Sequence, residues 1–151
     1  MNSGPIRTRV LIHGGFFSIG VSLLRTSRRN SFRPSGWALH NYYDVRQHDA
    51  KQLKALMKLT HGPIWLDEIS GVERRGHWQY RNQSSIAAGR DERFLFSLPK
   101  RFHRIARIYH YQWQGTVPSA NNGWDSGLIG PAGVPRPSYN VVLNATHGKL
   151  S

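Results

Sequence analysis

The chain has 151 residues, no cysteine, and 21 Lys and Arg against 8 Asp and Glu, a formal net charge of +13 with histidine neutral. Disulfide staples and thiolate metal centres are thereby excluded, while 38% hydrophobic and 11% aromatic residues suffice for the core of one domain. No apolar run approaches the roughly 20 residues that a membrane-spanning helix needs, because the longest, Val10 to Leu24, is interrupted by His13, Gly14, Gly15 and Gly20.

In chain order, Met1 to Arg9 is followed by no uninterrupted apolar segment and no small-residue cleavage pattern, so no export signal is expected and the compartment is not legible. Val10-Leu11-Ile12 suits a short buried strand, ended by a turn at Gly14-Gly15. The densest positive cluster, Arg25, Arg28, Arg29 and Arg33, falls in a Ser- and Asn-containing stretch that reads as a loop. Pro34-Ser35-Gly36 is a turn, and the alternation from Gly36 to Tyr43 predicts a strand with polar groups at its carboxyl end. Asp49 can cap a helix reaching about Leu59, with Leu53, Leu56 and Met57 on one face and Lys51, Lys54 and Lys58 on the wet side. Gly62-Pro63 stops it.

Ile64-Trp65-Leu66 reads as a buried strand that surfaces at Asp67-Glu68. A helix is expected from Ser84 or Ser85, carrying Ile86, Ala87, Phe94, Leu95 and Leu98 and ending at Pro99. Ile105 to Trp113 is the most strand-like stretch, the glycine-rich segment around Asn122-Gly123, Gly127, Gly130-Pro131 and Gly133 reads as loop, and Pro137 opens a last helix through Tyr139, Val141, Val142 and Leu143. This alternation predicts an α/β fold with a parallel sheet. The strand centres Ile12, Leu39, Leu66 and Ile108 are 27, 27 and 42 residues apart, close to the roughly 30 residues of one βα unit with an insertion in the last. No repeat or linker divides the chain, so residues 1–151 are taken as one domain.

Chemistry in such folds gathers beyond the carboxyl ends of the strands. Three predicted strands end in His40-Asn41-Tyr42, Asp67-Glu68 and Tyr111-Gln112-Trp113. A carboxylate, a His and Tyr pair and a Trp face suit carbohydrate chemistry, in which the carboxylate attacks or stabilises an oxocarbenium-like centre and the aromatic packs on a sugar ring. Singly, each has a plain reading: Glu68 as a solvated surface carboxylate, His40 as a structural histidine, Trp113 as core. Their coincidence at three strand ends favours a shared site, with Glu68, Tyr42 and Trp113 in one pocket and Glu68 in hydrogen-bond reach of Tyr42 or His40.

The segment Gly62-Pro63-Ile64-Trp65-Leu66-Asp67-Glu68 resembles the seventh strand of retaining glycoside hydrolases of the large clan built on (β/α) barrels, where an apolar-Trp-Leu-Thr-Glu-Thr-Gly type of motif ends in the nucleophilic Glu. Trp37-Ala38-Leu39-His40-Asn41-Tyr42 is similar to the sixth strand, whose His and Tyr line the sugar subsite. Ile108-Tyr109-His110-Tyr111-Gln112-Trp113 is similar to the eighth, whose terminal Trp is a sugar platform, and the tail from Trp124-Asp125-Ser126-Gly127-Leu128 through Pro135-Arg136-Pro137-Ser138-Tyr139 to the segment after it. The resemblance runs from about Trp37 to Leu143. It implies a partial TIM barrel of about the last four βα units, with Glu68 as nucleophile, His40, Asn41, Tyr42, Trp113 and Trp124 toward a carbohydrate substrate, and no cofactor or metal. The chain departs from the motif at Asp67, Ile69 and Ser70-Gly71; strand alternation would turn Asp67 to the face opposite Glu68, into the barrel wall or toward the helices.

A full barrel takes about 250 residues, so this length supplies four or five of eight units. In the resembled clan the general acid is a Glu ending the fourth strand, and no acidic residue precedes Gly36. Glu73 is the local substitute to consider. The expected function is therefore that of a glycoside hydrolase fragment holding the nucleophile without the acid half, inactive alone and able to self-associate through an open barrel edge. The alternatives are a non-catalytic carbohydrate-binding remnant using Trp113, Trp124, Tyr42 and His40, and a basic nucleic-acid-binding module, which the dispersed cations disfavour. His-Glu-x-x-His spacing and phosphate-binding glycine loops are absent from the sequence.

Overall fold

A computed structural model describes residues 36–75, 82–117 and 123–146, together with the backbone of residues 10–12. The Gly14-Gly15 turn and the Arg25 to Arg33 cluster lie outside the described residues.

Four parallel strands form one sheet in sequence order: β1 (Val10–Ile12), β2 (Trp37–Leu39), β3 (Ile64–Ile69) and, after a short β4 (Arg74–Arg75), β5 (Ile105–His110). Their registers step regularly, Val10 opposite Trp37, Trp37 opposite Ile64 and Ile64 opposite Ile105. Helices α1 (Tyr42–Gln47) and α2 (Lys51–Leu59) connect β2 to β3, α3 (Ser85–Arg101) leads into β5, and α4 (Pro137–Ala145) follows the last strand. Parallel neighbours require such crossovers, which cover one face of the sheet. Leu39, Ile64, Leu66 and Ile69 point into that covered face and meet Val45, Leu53, Leu56, Leu95 and Leu98 in one buried cluster. Each such side chain contributes roughly 1.5–3 kcal/mol.

The β2 expectation was too long. The strand stops at Leu39, and Tyr42 and Tyr43 open a helix the alternation concealed. Asp44, fully buried, explains why: its carboxylate accepts from the backbone N–H groups of Gln52 and Leu53 at 3.1 and 3.0 Å, ordering the first turn of α2 from the preceding helix. Asp49 accepts from Lys51 N–H at 3.2 Å, but the N-cap position belongs to Ala50. At the other end of α2, Arg104 donates to the carbonyls of Met57, Thr60 and Gly62, satisfying the unpaired end of the helix and bringing its charge to the negative pole.

Helix α3 starts where expected, with Ser84 Oγ accepting from Ala87 N–H at 3.2 Å. Pro99 does not end it; the helix continues to Arg101 with Pro99 in its last turn. Its inner face also differs from expectation, since Ile86 is exposed and the buried positions are Ala88, Gly89, Asp91, Glu92, Leu95 and Leu98. Within the expected loop, Trp124–Asp125 forms β6, antiparallel to β4. Helix α4 begins at Pro137 as predicted.

Candidate functional site at the carboxyl ends of the strands

Burial in β3 separates its two faces: Ile64, Leu66 and Ile69 are buried under the helices, whereas Trp65 and Asp67 are half-buried on the other side. On that second face, Arg107 stacks its guanidinium 5.6 Å from the centre of the Trp65 ring, and Tyr109 meets the same ring edge-on at 6.4 Å. By strict alternation Glu68 would follow Leu66 toward the helices. It does not, because β3 shifts register between Leu66 and Ile69 and Glu68 adopts a left-handed backbone with φ of 55°.

The shift brings both carboxylates to one imidazole. His40, buried at the end of β2, lies with Nε2 3.5 Å from Asp67 Oδ2 and Nδ1 3.7 Å from Glu68 Oε2. Side-chain exposure rises outward across this cluster, from 10% at His40 through 23% at Asp67 to 47% at Glu68. The expectation that Asp67 faces away from Glu68 is thus corrected: Asp67 keeps the parity of the open face, and Glu68 reaches it through the bulge.

The remaining predicted residues divide. Asn41 is fully buried near Asp44, whose carboxyl is held above its ordinary pKa by burial. Tyr42 packs edge-on against Trp124 at 4.9 Å between ring centres, and Trp124 Nε1 donates to Ser126 Oγ at 3.0 Å. Trp113 meets Tyr139 of α4 at 6.1 Å and is 57% exposed. Glu68 therefore has His40 beside it, Tyr42 meets Trp124, and Trp113 meets Tyr139.

Sequence reasoning missed the charged residues that hold the rim. Asp125, 2% exposed, receives both nitrogens of the Arg136 fork at 2.7 and 2.8 Å and Arg74 at 3.0 Å. Burial raises its pKa, but these guanidinium groups hold it below the ordinary carboxylate value. Glu73 lies 3.4 Å from Arg136 Nε, and burial leaves its own pKa raised, so the candidate substitute acid is tied into this network. Beneath the rim, buried Glu92 accepts from Gly71 N–H at 2.8 Å and lies 3.3 Å from His110 Nε2. Gly71 passes so close to the Ala88 carbonyl that a Cβ would overlap it. The spacing of Ala88, Asp91, Glu92, Leu95 and Leu98 is the signal that could have revealed carboxylates on a core face.

Among the described residues no cluster of three or more His, Asp or Glu is arranged to hold a metal ion. No helix among them is long and apolar enough to cross a membrane.

No family model matches the chain, and no curated protein matches its sequence. Solved structures do. An endo-β-1,3-glucanase mutant of glycoside hydrolase family 128 from Amycolatopsis mediterranei, in complex with laminarihexaose, is similar with a TM-score of 0.66 and 14% identity over 90% of this chain and 57% of its own. Xylanase B from Clostridium stercorarium gives 0.65 and 10% identity over 94% and 48%. A thermostable mutant of a Cellvibrio japonicus xylanase gives 0.64 and 13% over 87% and 45%. The chain spans about half the length of these structures. Its fold is accordingly part of the (β/α) barrel that such glycoside hydrolases are built on.

Proposed function

We propose that the chain is the carboxyl-terminal half of a retaining glycoside hydrolase barrel, in which Glu68 is the nucleophile toward a carbohydrate substrate. The observation that carries this reading is the approach of His40 to Glu68 at 3.7 Å, at the strand end where a bulge turns that carboxylate to the open side. In the retaining reaction the carboxylate attacks the anomeric carbon, the leaving oxygen takes a proton from a second carboxyl group about 5–5.5 Å away, and water then releases the glycosyl-enzyme. The His40 ring lies between the two carboxylates and can orient Glu68 for attack. Asp67 lies on the same strand as Glu68, and Glu73 is committed to Arg136, so neither supplies the acid in this reading.

A second reading, sugar binding without catalysis, is favoured by the exposed rings of Tyr111 and Trp113. One experiment separates the two. The chain is incubated with 2-fluoro dinitrophenyl glycosides, whose leaving group needs little protonation, and the adduct is mapped by mass spectrometry. Slow labelling of Glu68 is expected, lost in Glu68→Gln and slowed in Asp67→Asn, while unactivated oligosaccharides are not hydrolysed, since leaving-group protonation contributes roughly 10² to 10⁴ in rate. Absence of an adduct with oligosaccharide binding that depends on Trp113 would favour the second reading, and absence of both would overturn the carbohydrate assignment.

The open face of Trp65, Arg107 and Tyr109 supports the accompanying proposal of self-association through the barrel edge. A sedimentation coefficient independent of protein concentration would refute it.

A further inference from the structure

A groove of about 560 Å³ runs between α3 and α4. One wall is α3, which presents Arg93 and Lys100; the other is α4, which presents Asn140 and Asn144, and Phe96 and Val141 contribute its apolar surface. The two helices approach tightly where Gly89 meets Pro137, with room for no more than a strained Cβ, so the walls are held on a rigid base. The volume is that of an ordinary small-ligand site.

Its electrostatics are one-sided. Among the described residues no carboxylate lines it, and neither Arg93 nor Lys100 has an ion-pair partner. The two cations stand seven residues apart on one helix, two turns or about 10.5 Å along the axis. Two cations at that spacing suit a ligand that carries more than one anionic group. The two amides are one turn apart on the facing wall and offer donors and acceptors suited to hydroxyl and carboxylate groups.

We infer that this groove is a binding site for an acidic oligosaccharide, a chain of uronate-type sugars whose carboxylates reach Arg93 and Lys100 while its hydroxyls meet Asn140 and Asn144. The choice of a sugar polyanion over nucleic acid follows from the wall of paired amides and from the lack of a row of aromatic stacking platforms in the groove. It rests on the carbohydrate reading of the chain, but not on Glu68 as nucleophile.

The test uses the 151-residue chain and a fluorescent galacturonic acid hexamer, read by anisotropy at fixed ionic strength. The double variant Arg93→Gln/Lys100→Gln is compared with Lys54→Gln/Lys58→Gln, which removes the same charge from exposed positions on α2. Loss of two charge-assisted contacts should weaken binding at least tenfold in the groove variant and less than twofold in the control, with circular dichroism unchanged in both. Asn140→Leu should weaken binding severalfold without altering charge. Equal losses in the two double variants would reduce the effect to net charge and overturn the inference, as would equal affinity for a neutral glucan hexamer, or tighter groove-dependent binding of a single-stranded oligonucleotide. Nucleophile labelling is read separately with the aryl glycoside, so failure of groove binding is distinct from failure of that reading.

Discussion

The helix-covered face of the sheet and the rim at its strand ends are assembled by opposite means. Under the helices, Leu39, Ile64, Leu66, Leu95 and Leu98 pack in one apolar cluster, and such packing is non-directional. At the rim, position is set by charge: Arg136 and Arg74 on Asp125, Glu92 on Gly71 and His110, His40 between Asp67 and Glu68. The difference teaches that the apolar cluster itself provides stability that is indifferent to pH, while the rim exchanges that indifference for fixed directions, as a site that must aim side chains requires.

The sharpest way to break this contrast is Leu66→Ala, which opens a cavity in the fully buried cluster. A loss of about 4 kcal/mol is expected in urea titrations, the same at pH 7 and pH 5. Trp65→Ala, one position away on the half-buried face, should cost clearly less. If the two were equal, the second face would be as well packed as the first.

Asp125→Asn tests the rim. It leaves Arg136 and Arg74 facing a neutral amide, and a loss of roughly 3 kcal/mol is expected at pH 7. The sign with pH follows from the lowered folded-state pKa of Asp125 against its ordinary 3.8. The stabilisation is complete above that ordinary value and is lost as pH falls through the lowered one, so the gap between wild type and variant should persist at pH 5 and close only in strong acid. A gap that closed between pH 7 and pH 5 would place the carboxylate outside the guanidinium network.

The smallest effect sharpens the boundary between the regions. Ser84→Ala removes the cap that starts α3, with an expected loss of about 1 kcal/mol in the same titrations. Because Asp91 and Glu92 both lie about two turns further along this helix, hydrogen exchange at Gly71, whose N–H is held by Glu92, should rise with it. Unchanged exchange would show that the rim is anchored independently of the helix start.

Much of the architecture was legible in one dimension. Apolar runs at intervals near one βα unit, Ser84 before α3 and Pro137 at the head of α4 each depend on neighbours in sequence, so periodicity and capping chemistry identified them. Legibility failed where a distant group decided the outcome. Tyr42 and Tyr43 carry strand propensity, yet buried Asp44 holds the start of α2 and turns them into helix. Ile86 looked like a core residue, but α3 rotates to bury Asp91 and Glu92, whose partners His48 and Gly71 are contributed by other elements.

For the candidate site, sequence alone placed His40, Asp67 and Glu68 at neighbouring strand ends, because parallel strands joined by helices deliver their carboxyl ends to one rim. Which carboxylate faces the imidazole was a tertiary matter. Alternation assigns Asp67 and Glu68 to opposite faces, and only the register shift against β5, with the left-handed backbone at Glu68, brings both to His40. A side-chain period of two is a local property of the strand, whereas a bulge is set by the hydrogen-bond ladder between strands.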